Sequence, residues 1–139
     1  MAKVVITGKI PAIAVEQLRA QHDVVSWDEP VAVTREELLK RVKGADAIVS
    51  LLTEKVDAEL LDAAGPQLKV VSNVAVGYNN IDVPACKERN VLVTNTPGVL
   101  TEATADIAMA LILMSTRRLA EGERVIRKQE PWQWGMFYM

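Results

Sequence analysis

Strand-like and helix-like patterns alternate five times within about 130 residues, and that rhythm constrains the chain more than any other property. Val4–Thr7 is a short β-branched run followed by Gly8 and Pro11, and Ala12–Gln21 carries Ile13, Ala14 and Leu18 at helical spacing. Asp23–Trp27 reads as a second strand. Thr34 opens Thr-Arg-Glu-Glu-Leu-Leu, a capping residue with an acid three positions on, and this helix stops at Gly44. Ala47–Leu52 is a third strand, as continuously apolar as one covered on both faces should be. Asp57 caps a short helix, Ala58–Ala64, that ends at Gly65-Pro66. Leu68–Val71, extending toward Val76, is the fourth strand, Asp82 caps a helix over Val83–Arg89, and Val91–Thr94 is the fifth strand. Thr101 to about Gln129 is one long helical pattern with Gly122 as its only soft point.

Five such units predict an α/β fold built on a doubly wound, five-stranded parallel sheet. Right-handed crossovers with helices on both faces select the flavodoxin-like strand order 2-1-3-4-5. Ligands of such sheets bind at the carboxyl ends of the strands, so Gly8, Leu52–Thr53, Val76–Gly77 and Asn95–Gly98 should share one rim. Residues 1–100 form the expected core, and residues 101–139 add the long helix and a tail. Four of the six aromatic residues, Trp132, Trp134, Phe137 and Tyr138, fall in that tail, where such a cluster should dock on something.

Bulk properties exclude several function classes. A chain of 139 residues is one domain by length and can bury a real core. A net charge of −2 gives no electrostatic case for nucleic acid or an anionic membrane. One cysteine and one histidine cannot build a disulfide or a zinc site, and a reducing cytoplasm fits. Met-Ala-Lys-Val-Val-Ile-Thr-Gly opens a strand and not a signal peptide, and Ile107–Met114 is far shorter than the ~20 residues of a membrane span.

The seven glycines stand singly, so the Gly-x-Gly-x-x-Gly dinucleotide fingerprint is missing. Gly8-Lys9 lacks the rest of a P-loop. Thr7-Gly8-Lys9 and Leu51-Leu52-Thr53 stand where a phospho-accepting receiver would need acids, and Thr7–Pro11 offers little of a flavodoxin phosphate loop. Asn73-Val-Ala-Val-Gly-Tyr-Asn-Asn-Ile-Asp82, by contrast, follows a buried strand with a glycine turn and a row of amides, a place where backbone N–H groups can meet a small anion. On spacing alone, Gly77 is either a positive-φ turn or part of a ligand cradle, and Leu52 is either a core leucine or a pocket wall. Asn73, Asn79 and Asn80 read as loop-stabilising amides, His22 as a surface residue and Cys86 as a buried or half-buried spacer.

With Asn95-Thr-Pro-Gly-Val-Leu-Thr-Glu-Ala-Thr-Ala-Asp106 following it, the Asn73–Asp82 segment resembles the D-2-hydroxyacid dehydrogenases, in particular the glyoxylate/hydroxypyruvate reductase branch, over essentially the whole chain. The resemblance implies that the amides of Val76 and Gly77 hold the carboxylate of a 2-keto acid and that Leu52 walls the pocket. It also implies that Thr104 lies beside the nicotinamide of NAD(P) in a full-length parent; alone, Thr104 reads as a first-turn threonine. Asp106 matches the acid of the family's Ala-Glu/Asp pair and suits the helix start. The family's hydride transfer needs an Arg, a His and a Glu from the nucleotide domain, none of which has a counterpart in this stretch, and His22 is not a substitute.

The expectation is therefore a substrate-binding domain, excised or engineered, that does not catalyse alone and binds no cofactor. Its stripe of Ile107, Leu111, Met114 and Leu119 either folds back over the sheet or pairs with a second copy through residues 101–139. The alternatives are part of an active NAD(P)-dependent oxidoreductase acting on a 2-keto acid, and a flavodoxin-like electron carrier.

Overall fold

The computed structural model describes residues 1–129, 131, 135 and 136. Two units separate at Gly98–Val99. The first holds β1 (Lys3–Ile6), α1 (Ala12–Arg19), β2 (Asp23–Ser26), α2 (Arg35–Arg41), β3 (Ala47–Ser50), α3 (Ala58–Ala64), β4 (Val70–Asn73), α4 (Val83–Glu88) and β5 (Leu92–Thr94). Every strand pair is parallel and the order is β2-β1-β3-β4-β5, as the alternation predicts. The strands are shorter than the apolar runs. β3 stops at Ser50 and β4 begins two residues late, at Val70, which leaves Leu51–Leu52 and Val74–Val76 on the rim rather than in the ladder.

Side chains alternate across the strands and divide the core. Val5, Ile48 and Val71 face α2, α3 and α4, where they pack with Leu38, Leu60 and Leu61. Val4 and Ile6 face the other way and meet Val15 and Leu18 of α1. The three expected helix starts hold: Thr34 Oγ1 accepts from Glu37 N (3.3 Å), Asp57 Oδ1 from Leu60 N (3.1 Å) and Asp82 Oδ1 from Ala85 N (3.0 Å). Cys86 is buried, as expected of a spacer. His22 differs from expectation. It is half-buried beside the open groove next to α1, and its Nδ1 is shut from solvent without a hydrogen-bond partner among the described residues.

The second unit contains α5 (Thr101–Thr116) and α6 (Leu119–Lys128) in place of the single helix expected over 101–129. The break falls at Arg117–Arg118, and Gly122 lies inside α6. The cause is local. The Thr116 hydroxyl donates back to Ile112 O (2.9 Å), which competes with continuation of the helix. Arg118 then turns left-handed (φ 53°), and its guanidinium forks onto Glu121 with two 2.7 Å bonds. Leu119 of the expected stripe thus belongs to a separate helix. The apolar surface of α5 is also broader than a stripe, since Met109, Ile112 and Leu113 are exposed along with Ile107, Leu111 and Met114. The aromatic cluster Trp132, Trp134, Phe137 and Tyr138 lies outside the described residues.

Candidate functional site

The first unit's four buried polar residues, Thr7, Ser50, Glu54 and Asn73, all gather at the carboxyl ends of β1, β3 and β4 or just beyond them. Buried polar groups need partners, and these find them in one another and in the loops. Glu54 turns its carboxylate inward, accepting from Thr7 Oγ1 (2.6 Å), Leu51 N (2.8 Å) and the Thr53 hydroxyl. This closes 51–54 into a tight turn and leaves Leu52 61% exposed at its tip, so the core-leucine alternative for Leu52 is wrong.

Asn80 ties that turn to the β4 loop. Its Nδ2 donates to Leu51 O (3.1 Å) and Glu54 O (3.0 Å), and its Oδ1 accepts from Asn73 Nδ2 (3.2 Å). A parallel bridge between Val56 and Ile81 reinforces the join, with Val56 N donating to Asn80 O at 2.8 Å. Asn73 also accepts from Ser50 Oγ (3.0 Å). Asn73 and Asn80 are thus the loop-stabilising amides the sequence suggests.

The loop itself is polarised. The carbonyl of Ala75 accepts from Thr96 N (2.8 Å), that of Val76 from Asn95 Nδ2 (2.8 Å) and that of Gly77 from Asn73 Nδ2 (2.9 Å). The N–H groups of Val76, Gly77 and Tyr78 donate to nothing among the described residues. Gly77 is exposed and its φ lies outside the left-handed region, so the positive-φ explanation for this glycine fails. An added Cβ there would meet no atom within 4 Å. Neither backbone conformation nor packing demands glycine at 77, and the space beside it stands open.

Thr104, in the second unit, sits in the first turn of α5, exposed, with its N–H donating to Leu100 O (2.9 Å). Nor do the described residues fit a nicotinamide dinucleotide. In the β1–α1 turn a Cβ at Gly8 would collide with the Leu51 side chain, and Pro11, which has no N–H, stands at the start of α1. Cys86 is no nucleophile candidate: burial, then Asp82, push its thiol up, against a smaller opposing effect of Arg89. Among the described residues no cluster of His, Cys, Asp or Glu could hold a metal, and no helix is long and apolar enough to cross a membrane.

Sequence reasoning missed Glu54, which sits in a Thr-Glu-Lys stretch that reads as solvated loop. It also missed the role of Asn95 and Thr96, whose partners are 19 and 21 residues away. No local signal announces either.

Known proteins show the same architecture. The chain is 47% identical over 128 residues to a glyoxylate reductase of Thermococcus onnurineus (strain NA1), covering 92% of this chain but 38% of that protein. The crystal structure of the TT0316 protein from Thermus thermophilus superposes with a TM-score of 0.88 at 38% identity, over 97% of this chain and 43% of that one. An NADPH-dependent glyoxylate/hydroxypyruvate reductase from Sinorhizobium meliloti, solved with NADP and malonate, matches 91% of this chain and 38% of its own at 32% identity and a TM-score of 0.69. The chain thus spans well under half the length of these relatives. Residues 4–132 match the family model for the catalytic domain of D-isomer specific 2-hydroxyacid dehydrogenases, and to that family the chain belongs.

Proposed function

We propose that these residues form the substrate-binding portion of a glyoxylate/hydroxypyruvate reductase-like enzyme and receive the carboxylate of a small 2-keto acid on the N–H groups of Val76 and Gly77. One observation carries this reading: among the described residues, three consecutive peptide units have every carbonyl engaged and every N–H without an acceptor, beside a glycine that neither φ nor packing requires. Leu52, exposed at the tip of a turn that Asn80 ties to this loop, supplies an apolar wall. In a full-length enzyme NAD(P) supplies the hydride, and Thr104 lies near the nicotinamide. The 139 residues alone hold no dinucleotide and turn over no substrate, as an excised or engineered piece would behave. The apolar surface of α5 pairs with a second copy through residues 101–139, and the reducing cytoplasm suits the single buried thiol.

The experiment is a titration with glyoxylate and hydroxypyruvate followed by amide-resolved NMR. Shifts confined to Val76, Gly77 and the Leu52 turn are expected, and shifts elsewhere would refute the assignment. Incubation with NADH or NADPH and hydroxypyruvate should leave the nicotinamide absorbance unchanged. Turnover by the chain would favour the second reading, an oxidoreductase active within these residues.

A further inference from the structure

The Val76 and Gly77 amides are free, but a free N–H binds an anion well only if it is held pointing outward. A trans peptide unit is planar, with its C=O and N–H on opposite sides. Whatever grips the carbonyl of one residue therefore sets the direction of the next residue's N–H. The unit that carries the Val76 N–H has its carbonyl, on Ala75, gripped by Thr96 N at 2.8 Å. The unit that carries the Gly77 N–H has its carbonyl, on Val76, gripped by Asn95 Nδ2 at 2.8 Å. Both grips come from one dipeptide directly after β5, on the neighbouring strand's end.

We infer that Asn95, together with the Thr96 N–H, is the positioning element that aims the two carboxylate-receiving amides. This rests on the substrate reading given above for Val76 and Gly77. Asn95 touches no substrate; it acts by holding the Val76 carbonyl, which fixes the direction of the Gly77 N–H, a donor with no acceptor among the described residues. The Gly77 unit has few other restraints. Its residue is exposed, and glycine permits a peptide rotation that a larger side chain would resist. Without the Asn95 donor, the Val76 carbonyl is free to turn outward and present an acceptor to an incoming carboxylate. The Asn73 grip on the Gly77 carbonyl secures the next unit in the same manner, but Asn73 is buried and bonded to Ser50 and Asn80, so its removal tests folding as much as positioning.

Partly exposed Asn95 carries the experiment. In the ligand-free chain, the residual dipolar coupling of the Gly77 N–H reports its orientation. Asn95→Ala and the near-isosteric Asn95→Leu should change that coupling while couplings within β3 and β4 and the melting temperature stay the same. A role confined to stability would move the melting temperature and leave the orientation alone. Glyoxylate affinity should weaken about tenfold in both variants, the loss expected for one misdirected hydrogen bond to a charged group. An unchanged Gly77 coupling overturns the inference whatever the affinities show. In the unsubstituted chain, a scalar coupling through the hydrogen bond between the Asn95 amide nitrogen and the Val76 carbonyl carbon reads the grip directly, and its absence also overturns the inference. If the variant couplings shift but the unsubstituted chain shows no glyoxylate response, the positioning role stands and the substrate reading falls.

Discussion

Replacing Gly77 by alanine separates a glycine kept for the fold from a glycine kept for a ligand. The backbone at 77 is outside the left-handed region, and the new methyl group meets no atom within 4 Å, so the folded chain accepts it without strain. Alanine restricts the unfolded chain more than glycine does, which stabilises a compatible site by about 0.4–1 kcal/mol. For a chain of this size that raises the melting temperature by roughly 1–4 °C. On the proposed reading, the same methyl takes up room that a carboxylate resting on these amides needs. A hydrogen bond to a charged group contributes about 1.5–3 kcal/mol, so losing one weakens carboxylate binding about 10–100-fold. Calorimetric melting and an NMR titration with glyoxylate, run on the parent chain and Gly77→Ala together, check both halves. A lower melting temperature would mean that the fold needs this glycine after all. An undiminished affinity would mean that no carboxylate sits beside it. That opposition of signs, a gain in stability with a loss of binding, makes the test sharp.

Other expectations follow from the packing. Burial alone would raise the Asp57 carboxyl, but the Arg35 guanidinium and the Leu60 N–H hold it below the ordinary aspartate value. Its stabilising contribution is therefore complete above about pH 4 and is lost as the pH falls through the lowered folded value, so Asp57→Asn should flatten the acid limb of a stability–pH curve measured by denaturant. The buried, raised thiol of Cys86 should react with a disulfide reagent only as fast as the chain opens, and at once in denaturant; rapid labelling of the native chain would contradict its burial. Six apolar side chains exposed on α5 should drive self-association through residues 101–139, visible by light scattering as a dimer that Leu111→Glu returns to monomer. A concentration-independent monomer would refute that pairing.

The parts legible in the sequence are those governed by neighbours along the chain. Thr34, Asp57 and Asp82 cap helices because a short polar side chain reaches an N–H three residues on, and that chemistry is local. The strand order follows from βα alternation and crossover handedness. Long-range demands were invisible. Glu54 turns inward where Thr7, 47 residues earlier, offers a hydroxyl from the end of an adjacent strand, beside the nearby donors of Leu51 and Thr53. The helix break at Arg117–Arg118 was invisible in a pattern read as one helix with Gly122 as its only soft point, because arginine carries no breaking tendency. There the Thr116 hydroxyl and the Arg118–Glu121 fork outweigh the propensity of a glycine four residues on. Leu52 was ambiguous for a related reason: a leucine at a strand end is core or rim according to where the ladder stops, and pairing partners decide that.

Free N–H groups alone do not make the Val76–Gly77 loop a site, since those of Gly8 and Leu52 also lack acceptors among the described residues. A held carbonyl does not by itself separate them either, since Leu51 O, on the peptide unit that carries the Leu52 N–H, accepts from Asn80 Nδ2. At Gly8 an added Cβ would meet the end of the Leu51 side chain, and the following turn runs into Pro11, which offers no N–H to a phosphate. At Gly77 an engaged carbonyl and an N–H without an acceptor among the described residues coincide with a position where a Cβ would meet no atom within 4 Å. That coincidence argues against the flavodoxin-like alternative and for a small carboxylate, because one carboxylate needs two adjacent donors and little depth, whereas a phosphate-bearing cofactor needs the first βα turn as well. If the rim receives a carboxylate as proposed, its selectivity lies less in which amides it exposes than in which carbonyls its asparagines hold.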